Sequence, residues 1–198
     1  IIKFNAQISV GNIAKVYSYE DKVRTKKHKI KAFEKERALE ILYKNKYFYS
    51  HAVCKLIKKT LFNNIDFELN RIYEDQITIP KIINNAENTV YDNRVLYYYL
   101  QRNDSIVNNS FSPKKLDYLY AFDSNLEYFK QANTKFLKLI KHKWILAFHH
   151  VYKSAYLSNR IDELSPDIYE KYKKFSKGIV FNIHISTKNK IEHLIFKT

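Results

Sequence analysis

Residues 124–158, SNLEYFKQANTKFLKLIKHKWILAFHHVYKSAYLS, carry the clearest structural pattern in this chain. Apolar side chains recur there at spacings of three and four residues, the period of an α-helix with one buried face. Ser124 and Glu127 fit a capping box, in which two side chains satisfy backbone amides at the start of a helix. The pattern predicts a long helix from Ser124 to about Ser158 that buries Phe129, Phe136, Leu137, Ile140, Trp144, Ile145, Phe148, Val151 and Tyr152.

Further helices are predicted on both sides of this stretch. Ser112-Pro113 and Ser165-Pro166 each place a serine N-cap before a proline at the first helical position, so a helix should begin at each, the second running to about Phe175. Helical spacings also cover about residues 31–62, 65–76 and 89–102, with Pro80 following the end of the second and Tyr98 and Tyr99 facing inward in the third. Weak alternation over residues 1–10 predicts a short strand.

The period of the apolar residues changes after Gly178. Apolar and polar residues alternate from Ile179 to Ser186, a basic turn follows at 187–190, and residues 191–196 are again largely apolar. This pattern predicts a β-hairpin. The fold class predicted from the sequence is therefore α+β, predominantly helical with a C-terminal β-hairpin. We expect a basic N-terminal arm over 1–31, a helical body over 32–176 and the hairpin over 177–198.

Composition and charge indicate the kind of partner. Lys, Ile, Asn, Tyr and Phe make up about half of the 198 residues, which is typical of proteins encoded by extremely AT-rich genomes, such as those of organelles, parasites or large viruses. There are 35 Lys and Arg against 20 Asp and Glu, and the formal net charge is +15. A positive field of this strength favours binding to a polyanion, above all a nucleic acid.

Several other classes of protein lack support in the sequence. With glycine only at positions 11 and 178, a glycine-rich phosphate loop is not expected. The single Cys54 has no partner for an internal disulfide and favours a reducing compartment. The longest apolar run, Trp144–Phe148, is far shorter than a membrane span. We expect a protein without a membrane span, cofactor or catalytic activity.

Histidines and carboxylates supply only weak candidate sites. His142, His149 and His150 share one predicted helix, but offsets of seven and eight residues separate His142 from the others by two turns, too far for a shared metal ion. A nuclease would need Asp162, Glu163, Asp167 and Glu170 to meet in one basic cleft, although each also fits a solvated helix end. No metal site is therefore predicted.

Clusters of basic residues are the stronger signal. Six of the ten residues from Lys22 to Lys31 are Lys or Arg, with no acid among them, whereas a solvated helix surface usually mixes both signs. Lysines bind phosphates without regard to base sequence, and the interleaved tyrosines can stack on unpaired bases. The predicted RNA-binding residues are Lys22, Arg24, Lys26, Lys27, Lys29, Lys31, Lys55, Lys58, Lys59, Lys138, Lys141, Lys173, Lys174, Lys177, Lys188 and Lys190.

The C-terminal segment GIVFNIHISTKNKIEHLIFKT resembles the opening hairpin of the small-subunit ribosomal protein eleven family. The matching residues are Ile183, His184, Ile185, Ser186, Asn189 and Ile191, within about 20 of the 198 residues. In that family the hairpin lies against ribosomal RNA, so the resemblance implies a ribosomal setting. The composition is also similar in style to that of divergent ribosomal proteins encoded in protist mitochondria.

The sequence thus predicts a structural component of a mitochondrial or other organellar ribosome, in the small subunit by preference. Its partners would be ribosomal RNA and neighbouring ribosomal proteins, and its location the mitochondrial matrix. Two alternatives stay open: a peripheral assembly subunit of another multiprotein complex, and an organellar nuclease or maturase that processes nucleic acid.

Overall fold

The structure, a computed structural model, describes residues 2–18, 20–23, 27–101 and 110–177. The chain divides into two compact units, residues 1–109 and 110–198. The first contains a four-stranded sheet and the second is helical where it is described. The α+β class predicted from the sequence is therefore confirmed, whereas the predicted C-terminal hairpin lies outside the described residues.

Unit 1 is built on a mixed sheet of four strands. They are β1 (Ile8–Val16), β2 (Ile30–Glu34), β3 (Lys55–Ile57) and β4 (Asn88–Leu100), and their order across the sheet is β2-β4-β1-β3. β1 and β4 run parallel in the centre, and β2 and β3 pair antiparallel at the edges. The two central strands supply much of the core of this unit, since Ile8, Val10 and Val90 are buried.

The helix predicted over residues 89–102 is wrong, because this segment is β4. Its sequence, NTVYDNRVLYYYL, is rich in β-branched and aromatic residues, which favour strands. Four successive residues from Thr89 to Asp92 are buried. Burial on both faces of the strand removes the alternation by which a strand is recognised from sequence. Tyr98 and Tyr99, predicted to face inward, are 59% and 43% exposed.

The long helix predicted over residues 31–62 is also wrong. The segment contains β2, then α1 (Lys35–Lys44), a loop that we call the tyrosine loop (residues 45–54), and β3. Asn45 ends α1 in the left-handed conformation, with φ 53° and ψ 44°. Its amide donates to the Leu42 carbonyl at 3.1 Å, which satisfies one of the acceptors left open at a helix C-terminus.

The second helix begins later than predicted. The helical spacing at residues 65–76 forms no helix over most of its length, and α2 spans Glu74–Asn85 with Pro80 inside it rather than beyond its end. Glu74 and Asp75 occupy the first turn, where acidic side chains stabilise the positive end of the helix dipole. Four buried isoleucines hold α2 in the core of unit 1: Ile77, Ile79, Ile82 and Ile83. Burial of this apolar face offsets the hydrogen bond that Pro80 cannot donate.

Replacement of Asn45 tests this helix end. We expect Asn45→Ala to lower the free energy of unfolding by about 1 kcal/mol, because the left-handed region disfavours alanine, whereas the short polar side chain of asparagine tolerates it. Asn45→Gly should lower the free energy of unfolding clearly less, since glycine adopts this conformation freely. Urea unfolding followed by circular dichroism measures both variants. Equal losses in the two would show that the backbone conformation is not what stabilises this site.

Over residues 110–177, unit 2 contains three α-helices joined by short 3-10 turns. They are α3 (Asp117–Ala132), α4 (Leu137–Leu157) and α5 (Pro166–Ser176), with 3-10 helices at Pro113–Leu116, Thr134–Phe136 and Ile161–Glu163. The helix starts predicted at Ser112-Pro113 and Ser165-Pro166 are confirmed. The single helix predicted from Ser124 to Ser158 is wrong at its start and in its middle. Ser124 lies inside α3 rather than at a helix start, so the predicted capping box does not form there. The apolar pattern is divided between α3 and α4 at Asn133, whose backbone is extended at φ −166° and ψ 92°.

An aromatic cluster on α4 forms the core of unit 2. Trp144 stacks on Phe148, with ring centroids 6.0 Å apart, and Phe148 stacks on Tyr172 of α5 at 4.3 Å. Phe175 meets the Trp144 ring edge-on at 5.3 Å. Trp144 and Phe148 are buried, so the apolar spacing of residues 124–158 correctly identified the face on which this unit packs.

Removing one ring from this cluster should destabilise unit 2. We expect Phe148→Ala to lower the free energy of unfolding by about 3–5 kcal/mol, because it leaves a cavity beneath two stacked rings. Tyr156→Ala on the same helix, where the side chain is 62% exposed, should change it by less than about 0.5 kcal/mol. Fluorescence of Trp144, the only tryptophan, reports unfolding of this unit directly. Similar values for the two variants would contradict the assigned core.

The compact units do not follow the boundaries predicted from the sequence. β1 lies within the stretch expected to be an N-terminal arm, residues 1–31, and is a central strand of the sheet. The expected body, residues 32–176, is shared between the two units. Over the part of the chain that the structure describes, none of the helices combines the length and apolar character needed to cross a lipid bilayer.

Candidate nucleic-acid interface

A single row of residues across the sheet of unit 1 carries a lysine at each end. Lys31 of β2 pairs with Tyr91 of β4, Tyr91 with Val10 of β1, and Val10 with Lys55 of β3. Side chains that lie directly opposite one another on neighbouring strands point to the same face. The row therefore brings together two lysines from different basic clusters, far apart in sequence, on one face of the sheet.

The tyrosine loop crosses this row and is held by both lysines. Lys31 Nζ lies 2.6 Å from the Tyr47 hydroxyl and 4.3 Å from the centre of its ring, a hydrogen bond combined with a cation–π contact. Lys55 Nζ donates to the main-chain carbonyl of His51. Between these two ends the Tyr47 ring packs 5.6 Å from that of Tyr91. The loop is thus fixed above the sheet rather than extended into solvent.

A cavity of about 540 Å³ opens beside the tyrosine loop and the ends of β1 and β4. Its polar and aromatic lining consists mainly of Lys15, Tyr47, Tyr49, His51, Lys55 and Tyr99. None of the described residues around it is Asp or Glu. We call this space the tyrosine–lysine cavity; its volume is within the range of about 300–1,000 Å³ typical of small-ligand sites.

An irregularity in the sheet places two of these side chains together. The register of β1 against β4 shifts on both sides of Asn12, and beyond the shift Lys15 pairs with Tyr99. Gly11 lies at this point, and a Cβ there would be 2.7 Å from Leu96 Cδ1 and 2.8 Å from Cys54 Sγ. A larger residue at position 11 would therefore press against Leu96 and Cys54 beside the irregularity. Because Lys15 and Tyr99 are directly paired beyond the shift, their side chains lie on the same face.

Burial changes the protonation of the groups that line the cavity. Removal from water lowers the pKa of Lys55 to about 8, although nearby Asp75 partly opposes this shift. Burial also lowers the pKa of His51, so its ring is neutral at pH 7. Asp75 is not a lining residue, and burial raises the pKa of its carboxyl. At neutral pH Lys55 is therefore a largely charged ammonium in partly dry surroundings, a favourable environment for an anion.

The lowered pKa of Lys55 predicts a dependence of stability on pH. Between about pH 8 and the ordinary lysine pKa of about 10.4, the unfolded chain keeps this proton and the folded chain does not, so the free energy of unfolding rises with pH. Lys55→Met removes this contribution. Urea unfolding of both proteins at about pH 7.5 and about pH 9.5 should show the wild type gaining more stability than the variant. Identical gains would contradict the assigned environment.

The first predicted basic cluster lies partly along the sheet. Lys22, Lys27 and Lys29 are exposed, whereas Arg24 and Lys26 lie outside the described residues. The Asn93 side chain of β4 binds this segment with two hydrogen bonds, accepting from the Lys29 amide at 2.8 Å and donating to the Lys27 carbonyl at 2.9 Å, and the Asn93 amide donates to the Lys29 carbonyl at 3.1 Å. The segment from Lys27 to Lys31 is therefore attached to β4 and leads into β2.

The other predicted lysines are not gathered at the cavity. Lys58 and Lys59 are exposed just after β3, and Lys138 and Lys141 are exposed on α4 of unit 2. On α5, Lys173 forms an ion pair with Glu170 at 2.9 Å, and Lys174 and Lys177 are exposed. Lys188 and Lys190 lie outside the described residues. Of the predicted residues that the structure describes, only Lys31 and Lys55 contact the tyrosine loop.

The candidate metal and nuclease residues are placed in other surroundings. His149 is buried, with Nε2 3.3 Å from the Tyr172 hydroxyl, and burial lowers the pKa of His142 to about 4. Glu163 pairs with Arg160, and Glu170 with Lys173. Among the described residues, no group of three His, Cys, Asp or Glu side chains is arranged to hold a metal ion.

Reasoning from the sequence missed most of the cavity. Tyr47 and Tyr49 were interpreted as part of a helix, and Tyr99 as an inward residue of another. The one feature of the sequence that could have indicated this site was the run of three consecutive aromatic residues, Tyr47-Phe48-Tyr49, beside the basic residues Lys44 and Lys46. Comparison of the chain with protein-family models and with curated proteins gives no match.

Proposed function

We propose that this protein binds RNA through unit 1 and serves as a structural component of an organellar ribosome. The observation that carries the proposal is the tyrosine–lysine cavity, where cations and aromatic rings meet on one face of a sheet without a lining acid among the described residues. Lysines neutralise phosphates, and aromatic rings stack on unpaired bases. Together these are the two kinds of contact that single-stranded RNA requires.

The formal net charge of +15 supports this function. Long-range attraction draws the protein to RNA, and release of counterions then favours binding. The basic segment from Lys27 to Lys31 leads into β2, whose Lys31 holds the tyrosine loop. Exposed lysines elsewhere, among them Lys138, Lys141 and Lys174, would contact further phosphates of a folded RNA.

The ribosomal setting rests on the composition and on the resemblance of residues 183–191 to a small-subunit ribosomal hairpin. An AT-rich organellar gene accounts for the many Lys, Asn and Tyr residues, and the mitochondrial matrix is the location that this implies. In this role the protein is a scaffold: unit 1 fixes an unpaired stretch of RNA, and the remaining lysines neutralise the surrounding backbone. Neighbouring ribosomal proteins would be its other partners.

Sedimentation of a native lysate tests the proposal. We expect the protein to migrate with a ribosomal subunit, the small one by our prediction, on a sucrose gradient whose fractions are analysed by mass spectrometry. It should remain there at high salt, because an integral component is held by many contacts, including stacking that salt does not weaken. Migration as a free protein, or with a membrane complex, would contradict the ribosomal role and favour the assembly-subunit or nuclease alternatives.

A further inference from the structure

The tyrosine–lysine cavity has two chemically different sides. Tyr49 and Tyr99 present aromatic surface, with 49% and 43% of these residues exposed. Lys15 and Lys55 supply positive charge. A ligand that suits both sides combines a flat, polarisable ring with an anion. A nucleotide has this combination, since its base stacks on tyrosine and its phosphate pairs with lysine.

The charged side is already oriented before a ligand arrives. Lys55 Nζ donates to the His51 carbonyl, and an ammonium group has three donors, so two remain for a phosphate. Lys15 is exposed and lies opposite Tyr99 in the sheet, beside the aromatic side of the cavity. A phosphate placed there would also offset the cost of holding the Lys55 ammonium in partly dry surroundings.

The tyrosine loop that carries part of the aromatic side is fixed to the sheet by its own contacts. Lys31 fixes the Tyr47 hydroxyl at 2.6 Å, and the Tyr47 ring packs on Tyr91. The rings of Tyr49 and His51 lie 5.7 Å apart and are tilted by 51° rather than stacked face to face. Because Tyr49 and Tyr99 are both exposed, an incoming base can reach ring surface of each.

We infer that this cavity accommodates one unpaired nucleotide, with the base against Tyr49 and Tyr99 and its phosphate at Lys15 and Lys55. The inference deepens the proposed function and rests on its RNA-binding part, but not on the ribosome. A base within a duplex is stacked and paired, so it cannot enter; a base in a loop, a bulge or a single strand can. The cavity thereby selects unpaired RNA over duplex RNA. A free nucleotide has the same chemistry and is the other possible source of the ligand.

Two matched pairs of variants test the site in the full chain. Tyr99→Leu removes a ring that lines the cavity, and Tyr98→Leu removes the adjacent ring on the opposite face of β4. Lys15→Gln removes a lining charge, and Lys3→Gln removes an exposed charge of the same unit that does not line it. Lys15 and Lys3 are both exposed, so neither replacement endangers folding. Circular dichroism confirms the fold of each variant.

Fluorescence anisotropy measures the affinity of each protein for a labelled uridine hexanucleotide and for a labelled duplex RNA of equal length. Free uridine monophosphate is added as a competitor of the hexanucleotide. We expect Tyr99→Leu and Lys15→Gln each to weaken hexanucleotide binding about tenfold, the loss of one stacked base or one phosphate contact. Tyr98→Leu and Lys3→Gln should change it less than about twofold, and duplex binding should be weaker than hexanucleotide binding in the wild type.

Three results would overturn the inference in different ways. If all four variants bind the hexanucleotide with the affinity of the wild type, the cavity is not the site, although the protein still binds RNA. If free uridine monophosphate competes as well as the hexanucleotide does, the ligand is a free nucleotide and the RNA part of the inference is wrong. If the wild-type protein binds no RNA at all, the proposed function itself fails.

Discussion

The parallel pairing of β1 with β4 is the constraint on which unit 1 depends. Residues 8–16 pair with residues 89–100, so more than seventy residues must form the connection between the two strands. That connection contains β2, α1, β3 and α2, and its two strands can only occupy the edges of the sheet. This pairing sets the register that aligns Val10 with Tyr91 and Lys15 with Tyr99, on which the candidate site is built.

The same register explains how lysines occur so close to a core. Lys31 and Lys55 end a row whose middle, Tyr91 and Val10, is buried. Each ammonium group contacts the tyrosine loop. Lys31 binds the hydroxyl and ring of Tyr47, and Lys55 donates to the His51 carbonyl. The charged side chains at the edges of the sheet thus position the loop. In the cavity beside that loop, Lys15 and the remaining donors of the Lys55 ammonium can bind a ligand.

Unit 2, unlike unit 1, packs elements that are neighbours along the chain. α3, α4 and α5 follow one another through short turns, and the rings of Trp144, Phe148 and Tyr172 form their shared core. Such local packing needs no distant strand to complete it. The helical period and the two Ser-Pro signals therefore described this unit well. The differences from expectation are that Ser124 lies inside α3 instead of capping a helix, and that one extended residue, Asn133, divides the apolar pattern into two helices.

By itself the sequence determined the helix starts at Ser112-Pro113 and Ser165-Pro166, the apolar face of α4 and the strongly basic character of the chain. These depend on the period of neighbouring residues and on composition, which need no knowledge of distant contacts. It also predicted the α+β class, although chiefly from a C-terminal hairpin outside the described residues rather than from the strands of the sheet. Only the tertiary structure decided that residues 88–100 form a central strand, that Asn45 ends α1, and that Lys31, Lys55, Tyr47 and Tyr99 belong to one site. A buried strand and a helix segment share the same apolar pattern, and strand pairing between residues some eighty positions apart leaves no local trace.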